Sequence, residues 1–138
     1  MKKILFAASE SVPFIKTGGL ADVVGSLPKN FDKEKYDVRV ILPKYAVMKD
    51  VYKDQLEFVT SFNMDFNWTS RYVGILKTVV DGITFYFMDN EYYFSGAKAY
   101  EGGLWDIEKF GYFSNTPLEL ILCKFIYNFT IHYVFDSF

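Results

Sequence analysis

The feature that most constrains the fold is an apolar run near the amino terminus that leads into a glycine pair and a second apolar stretch. Residues 4–8 are continuously apolar, which is typical of a parallel strand buried on both faces. The run stops at Ser9 and Glu10, so it is too short for the apolar core of a secretory signal. We therefore expect a first strand near the centre of a sheet, in a chain that is not exported.

A cation and two glycines follow this strand. Lys16, Gly18 and Gly19 combine a flexible positive charge with residues that can adopt backbone angles closed to others. A helix beginning there would expose unpaired N–H groups that attract anions. Either the glycines only turn the chain beside a solvated lysine, or the three residues form a phosphate site. The spacing matches neither a P-loop nor a dinucleotide fingerprint, so the residue types alone leave both interpretations open.

The next residues predict a helix and a second strand. Thr17 is placed to cap the helix, Asp22 lies in its first turn, and Pro28 should bend or end it. Residues 37–43 then have the pattern of a second parallel strand, ending at a proline. The helical spacing predicts one apolar stripe against the sheet, made of Leu20, Val23, Val24 and Leu27.

The middle of the chain predicts antiparallel strands. Residues 58–62, 72–80 and 83–88 are rich in β-branched and aromatic side chains. Asp81-Gly82 is a two-residue turn of the kind that closes hairpins, so at least one strand pair is antiparallel. Sugar-stacking is one interpretation of the dense aromatics, which include Trp68 and Tyr72. At this spacing we expect them in the core instead.

Composition narrows the class of protein. The chain has 138 residues, of which 51% are hydrophobic and 23% charged, enough for one compact domain. The net charge of −2, with no basic run, argues against nucleic acid as a partner. One cysteine, Cys123, and one histidine predict neither a disulfide nor a metal site, and a reducing cytoplasm is the expected location. We expect no cofactor.

Residues 9–28 resemble the amino-terminal signature of bacterial glycogen synthases and plant starch synthases that use ADP-glucose. The resemblance implies a retaining transferase that adds glucose to an α-1,4-glucan acceptor. It further implies that Lys16 contacts the nucleotide sugar and that Gly18 and Gly19 shape its pocket. The implied fold is α/β, a Rossmann-like, mostly parallel sheet with an inserted antiparallel hairpin, as in the first half of a GT-B glycosyltransferase.

A second, weaker part of the resemblance lies further along the chain. Asp106 stands where family members have an aspartate that holds glucosyl hydroxyls, although Lys109 replaces their arginine. The resemblance therefore implies that Asp106 binds sugar. The alternative is that Asp106 caps a helix that begins near Ile107.

The resemblance divides the chain. Residues 1–120 correspond to an incomplete amino-terminal domain, whereas residues 121–138 lack the family's catalytic histidine motif. We interpret this tail as a product of a frameshift, because Phe, Ile, Tyr, Asn and Lys dominate its composition. The rival interpretation is a membrane anchor, against which Glu119, Lys124 and His132 argue, since they interrupt the apolar run. Whether the chain is an enzyme stays undecided, and no catalytic residue is assigned. It is either a donor-binding fragment of a glucosyltransferase, inactive alone, or a non-catalytic nucleotide- or sugar-binding module.

Overall fold

The computed structural model describes residues 1–122 and 129–134, the last two residues of the first range by their backbone. The strands are β1 (Lys2–Ala8), β2 (Tyr36–Pro43), β3 (Glu57–Phe66), β4 (Thr69–Val80), β5 (Ile83–Asp89) and β6 (Phe129–Val134). The helices are α1 (Gly19–Ser26), α2 (Asp50–Lys53), α3 (Glu91–Phe94) and α4 (Gly103–Leu122), and a 3-10 turn (Leu27–Asn30) follows α1.

These strands form a single sheet in the order β3-β4-β5-β2-β1-β6. Strands β5, β2, β1 and β6 are parallel neighbours, whereas β4 pairs antiparallel with both β3 and β5. The predicted α/β class is therefore confirmed, with a parallel part and an antiparallel addition. The Asp81-Gly82 turn joins β4 to β5 as predicted, with Val80 opposite Ile83.

Strand β1 lies between β2 and β6 and is buried on both faces. Leu5 and Ala7 pack into the core on one side of the sheet, together with Phe110 and Phe113 of α4. Phe6 and Ala8 point to the opposite side of the sheet. They belong to a core cluster with Val24 of α1, and Phe31, which follows the 3-10 turn, packs against this cluster. This alternation follows from the two-residue period of a strand. It places α1 and α4 on opposite faces of the sheet.

The predicted apolar stripe of α1 is confirmed for Leu20 and Val24, which pack into the core, and is wrong for Val23 and Leu27. Val23 is 52% exposed and Leu27 is 40% exposed, whereas Ala21, Val24 and Gly25 are the buried residues. The reason is close packing against the preceding loop. A Cβ atom on Gly25 would lie 2.3 Å from Cγ2 of Val12, so this face accepts only small residues. The helix ends at Ser26, immediately before the 3-10 turn that contains Pro28, as predicted.

The prediction that Trp68 and Tyr72 lie in the core is also wrong. Trp68 is fully exposed and Tyr72 is 48% exposed. Trp68 lies at the turn between β3 and β4, where Asn67 and Trp68 have φ values of 51° and 62°. This turn extends past the core, so its side chains meet solvent whatever their hydrophobicity.

The predicted tail contains the last described strand. Phe129–Val134 adds to the sheet parallel to β1, with Leu5 opposite Ile131. The remainder of the tail, residues 123–128 and 135–138, lies outside the described residues, and the proposed frameshift stays a prediction. In the described part of the chain, no helix has the length and apolar character that crossing a bilayer requires.

The β4–β5 turn yields a test of the antiparallel addition. Asp81 and Gly82 have φ values of 52° and 77°, a left-handed conformation that asparagine and glycine tolerate. Gly82→Val should lower the free energy of unfolding by about 1–2 kcal/mol, because a branched side chain is strained there. Urea denaturation measures this change, with Asp81→Asn as the control that should unfold near the wild-type midpoint. A Gly82→Val chain as stable as the wild type would contradict this hairpin geometry.

Candidate functional site

The segment between β1 and α1, residues 9–18, is a loop held at its middle by a buried aromatic ring, and we call it the glycine loop. Phe14 is 3% exposed, and its ring meets Phe85 and Phe87 edge-on at centroid distances of 5.0 and 4.9 Å. Ser11 closes the turn, since its N–H donates to the carbonyl of Ile15 at 3.1 Å. Burial of the Phe14 ring therefore anchors the middle of this loop, and Ser9, Glu10 and Ser11 at its start are buried as well.

Glu10 holds the far end of this loop. The N–H of Thr17 donates to Oε2 of Glu10 at 2.7 Å, and the hydroxyl of Thr17 donates to the same oxygen. The prediction that Thr17 caps α1 is therefore wrong, because its side chain is used by Glu10. The cap position belongs to Gly18, which has no side chain to offer.

The amino terminus of α1 is consequently open. Among the described residues, no side chain makes a capping hydrogen bond there, and a Cβ atom on Gly19 would meet none of their atoms within 4 Å. The expectation of unusual glycine angles is not met, since Gly18 has an extended backbone with φ −160° and ψ −164°. The two glycines instead leave space beside the N–H groups of the first helical turn, where partial positive charge is concentrated.

Lys16 lies next to this open helix end. Its Nζ is 2.7 Å from Oδ2 of Asp22, in the first turn of α1, and the two side chains are 54% and 56% exposed. An ion pair so exposed contributes about 0–1 kcal/mol, so its partners separate readily. The structure thus brings together Lys16, Gly18 and Gly19, the three residues predicted to hold phosphate.

Both carboxylate oxygens of Asp106 already have hydrogen-bond partners within the protein. Its side chain is buried, and its two oxygens accept hydrogen bonds from the N–H groups of Glu101 and Gly102 at 3.0 and 2.9 Å. Helix α4 begins at Gly103, so Asp106 lies within its first turn and binds the residues that precede it. The alternative that Asp106 caps a helix beginning near Ile107 is therefore wrong, since the helix begins three residues before Asp106. The sugar-binding role of Asp106 stays a prediction.

A buried lysine, Lys109, lies beside Asp106. Nζ of Lys109 donates to the carbonyl of Ala99 at 2.7 Å and to Oε2 of Glu101 at 3.0 Å, and lies 3.6 Å from Oδ1 of Asp106. Lys109 is fully buried, so its charge depends on these partners. We call Glu101, Asp106 and Lys109 the α4 charge cluster.

Tyr45 lies between the glycine loop and the α4 charge cluster. Its hydroxyl donates to the carbonyl of Ser9 at 2.7 Å. Burial raises the pKa of Tyr45 well above its ordinary value, and the nearby Tyr100, Glu10 and Asp106 raise it further. The tyrosine therefore remains a neutral hydrogen-bond donor at physiological pH. The ends of β1 and β2 and the start of α4 converge at this point.

Two residues of this region were not predicted from the sequence as site residues. Glu10 is recognisable only from its place before a turn, and its partner Thr17 lies seven positions further along the chain. Lys109 carries an i, i+3 signal with Asp106, which usually indicates an exposed helical pair. Neither pattern indicates that the charge will be buried.

The α4 charge cluster makes a prediction about stability. Lys109→Met should lower the free energy of unfolding by about 3–5 kcal/mol, because it leaves two carboxylates without their buried cation. Lys35→Met removes a lysine whose side chain is 75% exposed, and should change the free energy by less than about 0.5 kcal/mol. Urea denaturation compares the two variants. Equal and small losses would contradict a structural role for the cluster.

Comparison with known proteins identifies the family. The family model of the starch synthase catalytic domain matches residues 3–133. The chain is 52% identical over 121 residues to a glycogen synthase of Lachnospira eligens, covering 88% of this chain and 25% of that protein. It is 54% identical over 121 residues to a glycogen synthase of Lachnoclostridium phytofermentans, with the same coverage. The chain thus spans about a quarter of the length of these relatives.

A solved structure agrees with these matches. The catalytic domain of starch synthase IV from Arabidopsis thaliana, determined with ADP and acarbose, superposes with a TM-score of 0.81 at 29% identity. The superposition covers 96% of this chain and 27% of that one. The GT-B resemblance drawn from residues 9–28 is confirmed. This chain belongs to the starch synthase catalytic domain family.

Proposed function

We propose that this chain contributes the donor-phosphate site of an ADP-glucose-dependent α-1,4-glucan glucosyltransferase of glycogen biosynthesis. The observation that carries the proposal is the uncapped amino terminus of α1 beside Lys16. The relatives named glycogen synthase and the ADP-bound starch synthase support it. The single cysteine of the chain favours a cytoplasmic location, which is part of the same proposal.

The proposed site would bind diphosphate through two kinds of positive charge. The N–H groups at the start of α1 lie beside the open space at Gly19, where a phosphate oxygen can approach the backbone closely. Lys16 would exchange its ion pair with Asp22 for a phosphate oxygen, at little cost because both side chains are exposed. As the glucosyl bond breaks, negative charge grows on the departing diphosphate, and these groups would stabilise it.

Glucose transfer requires more than this chain in our proposal. The chain spans about a quarter of its relatives' length, and residues 1–122 and 129–134 supply only the one glycine-loop site described above. We propose that the chain binds donor but is inactive alone, and that transfer to an α-1,4-glucan needs a polypeptide that provides the rest. Asp106 remains a proposed ligand of the glucosyl group.

The second hypothesis is a non-catalytic module that binds a nucleotide or a sugar. The same helix terminus supports it, because anion binding needs no second domain. Mixing distinguishes the two hypotheses. The chain is combined with the remaining part of the Lachnospira eligens glycogen synthase, and incorporation of labelled glucose into glycogen is measured. Transfer that appears on mixing supports the enzyme fragment, and its persistent absence favours the binding module.

Lys16→Ala tests the phosphate site directly. Removing the ammonium should weaken binding of both ADP and ADP-glucose about 10-fold or more, the effect of losing one charge-assisted hydrogen bond. Isothermal titration calorimetry on the 138-residue chain measures the two dissociation constants. Raising the salt concentration should reduce the difference between wild type and variant, since charge interactions are screened.

The matched control is Lys29→Ala. Lys29 is also in an exposed 2.7 Å ion pair, with Asp81, but lies beyond the opposite end of α1. Binding to this variant should equal that of the wild type. If both variants lose affinity equally, general electrostatic attraction explains the binding, and the site at Lys16 is rejected.

A further inference from the structure

Glu10 has a buried carboxylate whose two oxygens differ in their hydrogen bonding. The residue is 0% exposed. Oε2 accepts both hydrogen bonds from Thr17, whereas Oε1 has no hydrogen-bond partner among the described residues. Within the same residues, no lysine, arginine or histidine forms an ion pair with Glu10.

A buried carboxylate with these partners lowers the folding stability of the domain. Burying a charge costs free energy unless a partner of opposite charge compensates it, and here only two neutral donors do so. One of the two acceptor oxygens is unused, which adds the cost of an unsatisfied polar atom. An apolar residue of similar size would fill the same space without either penalty.

The carboxylate does, however, fix one peptide unit that matters. Thr17 stands between Lys16 and Gly18, so its N–H group belongs to the peptide bond that follows Lys16. Holding that N–H at 2.7 Å fixes the backbone that carries the lysine and the extended residue that leads into α1. A carboxylate only accepts hydrogen bonds when ionised, so Glu10 has no means of binding phosphate itself.

We propose that Glu10 is a positioning residue for the donor-phosphate site, acting through Thr17. It holds the Lys16–Gly19 backbone in the arrangement in which the lysine and the bare helix terminus face one anion, and its burial lowers the stability of the domain. This inference rests on the proposed function, because the anion is the diphosphate of the donor.

The test compares two replacements in the 138-residue chain. Glu10→Gln keeps an acceptor oxygen for Thr17, so ADP should bind within about threefold of the wild-type affinity. Glu10→Leu removes the acceptor, and ADP should bind about 10-fold more weakly, as expected for loss of hydrogen bonds to a charged group. The Glu10→Leu chain should also unfold at an equal or higher urea concentration than the wild type.

Hydrogen exchange of the Thr17 amide provides a readout that needs no ligand. The amide should be protected in the wild type and in Glu10→Gln, and should exchange faster in Glu10→Leu. Thr17→Val removes the hydroxyl but keeps the N–H, so it should show intermediate affinity for ADP. The control Glu34→Leu replaces an exposed glutamate and should leave affinity and exchange unchanged.

The outcomes separate this inference from the proposed function. A wild-type chain that binds no ADP rejects the phosphate site, and the positioning role with it, even where Thr17 is protected. ADP binding that is the same in wild type and Glu10→Leu overturns the positioning role and leaves the phosphate site intact. A Glu10→Leu chain that is less stable or fails to fold also overturns it, since Glu10 would then serve the fold.

Discussion

The structure of the proposed site depends on how the chain is held between the end of β1 and the start of α1. Phe14 buries its ring between the sheet and α2, within 5.5 Å of the ring of Tyr52. Glu10 then holds Thr17 by two hydrogen bonds. Between these anchors the chain has little freedom, so Gly18 can present a bare helix terminus instead of a capped one. A flexible loop would have to be ordered by the ligand, at a cost in affinity.

The position of this loop follows from the sheet. Strand β1 is flanked by β2 and β6, and parallel strands direct their carboxyl ends to one edge. Ligands of open α/β sheets bind at that edge, outside the ends of the strands. The α4 charge cluster lies near the same region, because Tyr45 has both Glu10 and Asp106 close to its hydroxyl. The proposed sugar ligand Asp106 and the proposed phosphate site therefore lie in the same region of the fold.

Local patterns predicted the parts of the fold that local forces decide. The apolar run of β1, the strand that ends at Pro43 and the Asp81-Gly82 hairpin each depend on neighbouring residues, and all three are found. The α/β class follows from their order. The family resemblance of residues 9–28, now confirmed, gave the GT-B assignment that the patterns could not provide.

Tertiary contacts decided the rest. The cap of α1 shifted from Thr17 to Gly18 because Glu10, at the other end of the same loop, takes the threonine hydroxyl. The buried face of α1 shifted because Val12 packs against Gly25. Trp68 is exposed because its turn extends past the core, a property of the sheet's size and not of the residue. Hydrophobicity and spacing contain none of this information.

The most direct test of the account is an NMR titration of the 138-residue chain with ADP. Binding at the proposed site should shift the backbone amides of residues 18–21 first and most, because N–H groups at the start of α1 would meet the phosphate. The indole signal of Trp68, at the exposed β3–β4 turn, should stay unchanged. Shifts centred on that turn, with the amides of the glycine loop unaffected, would contradict the account.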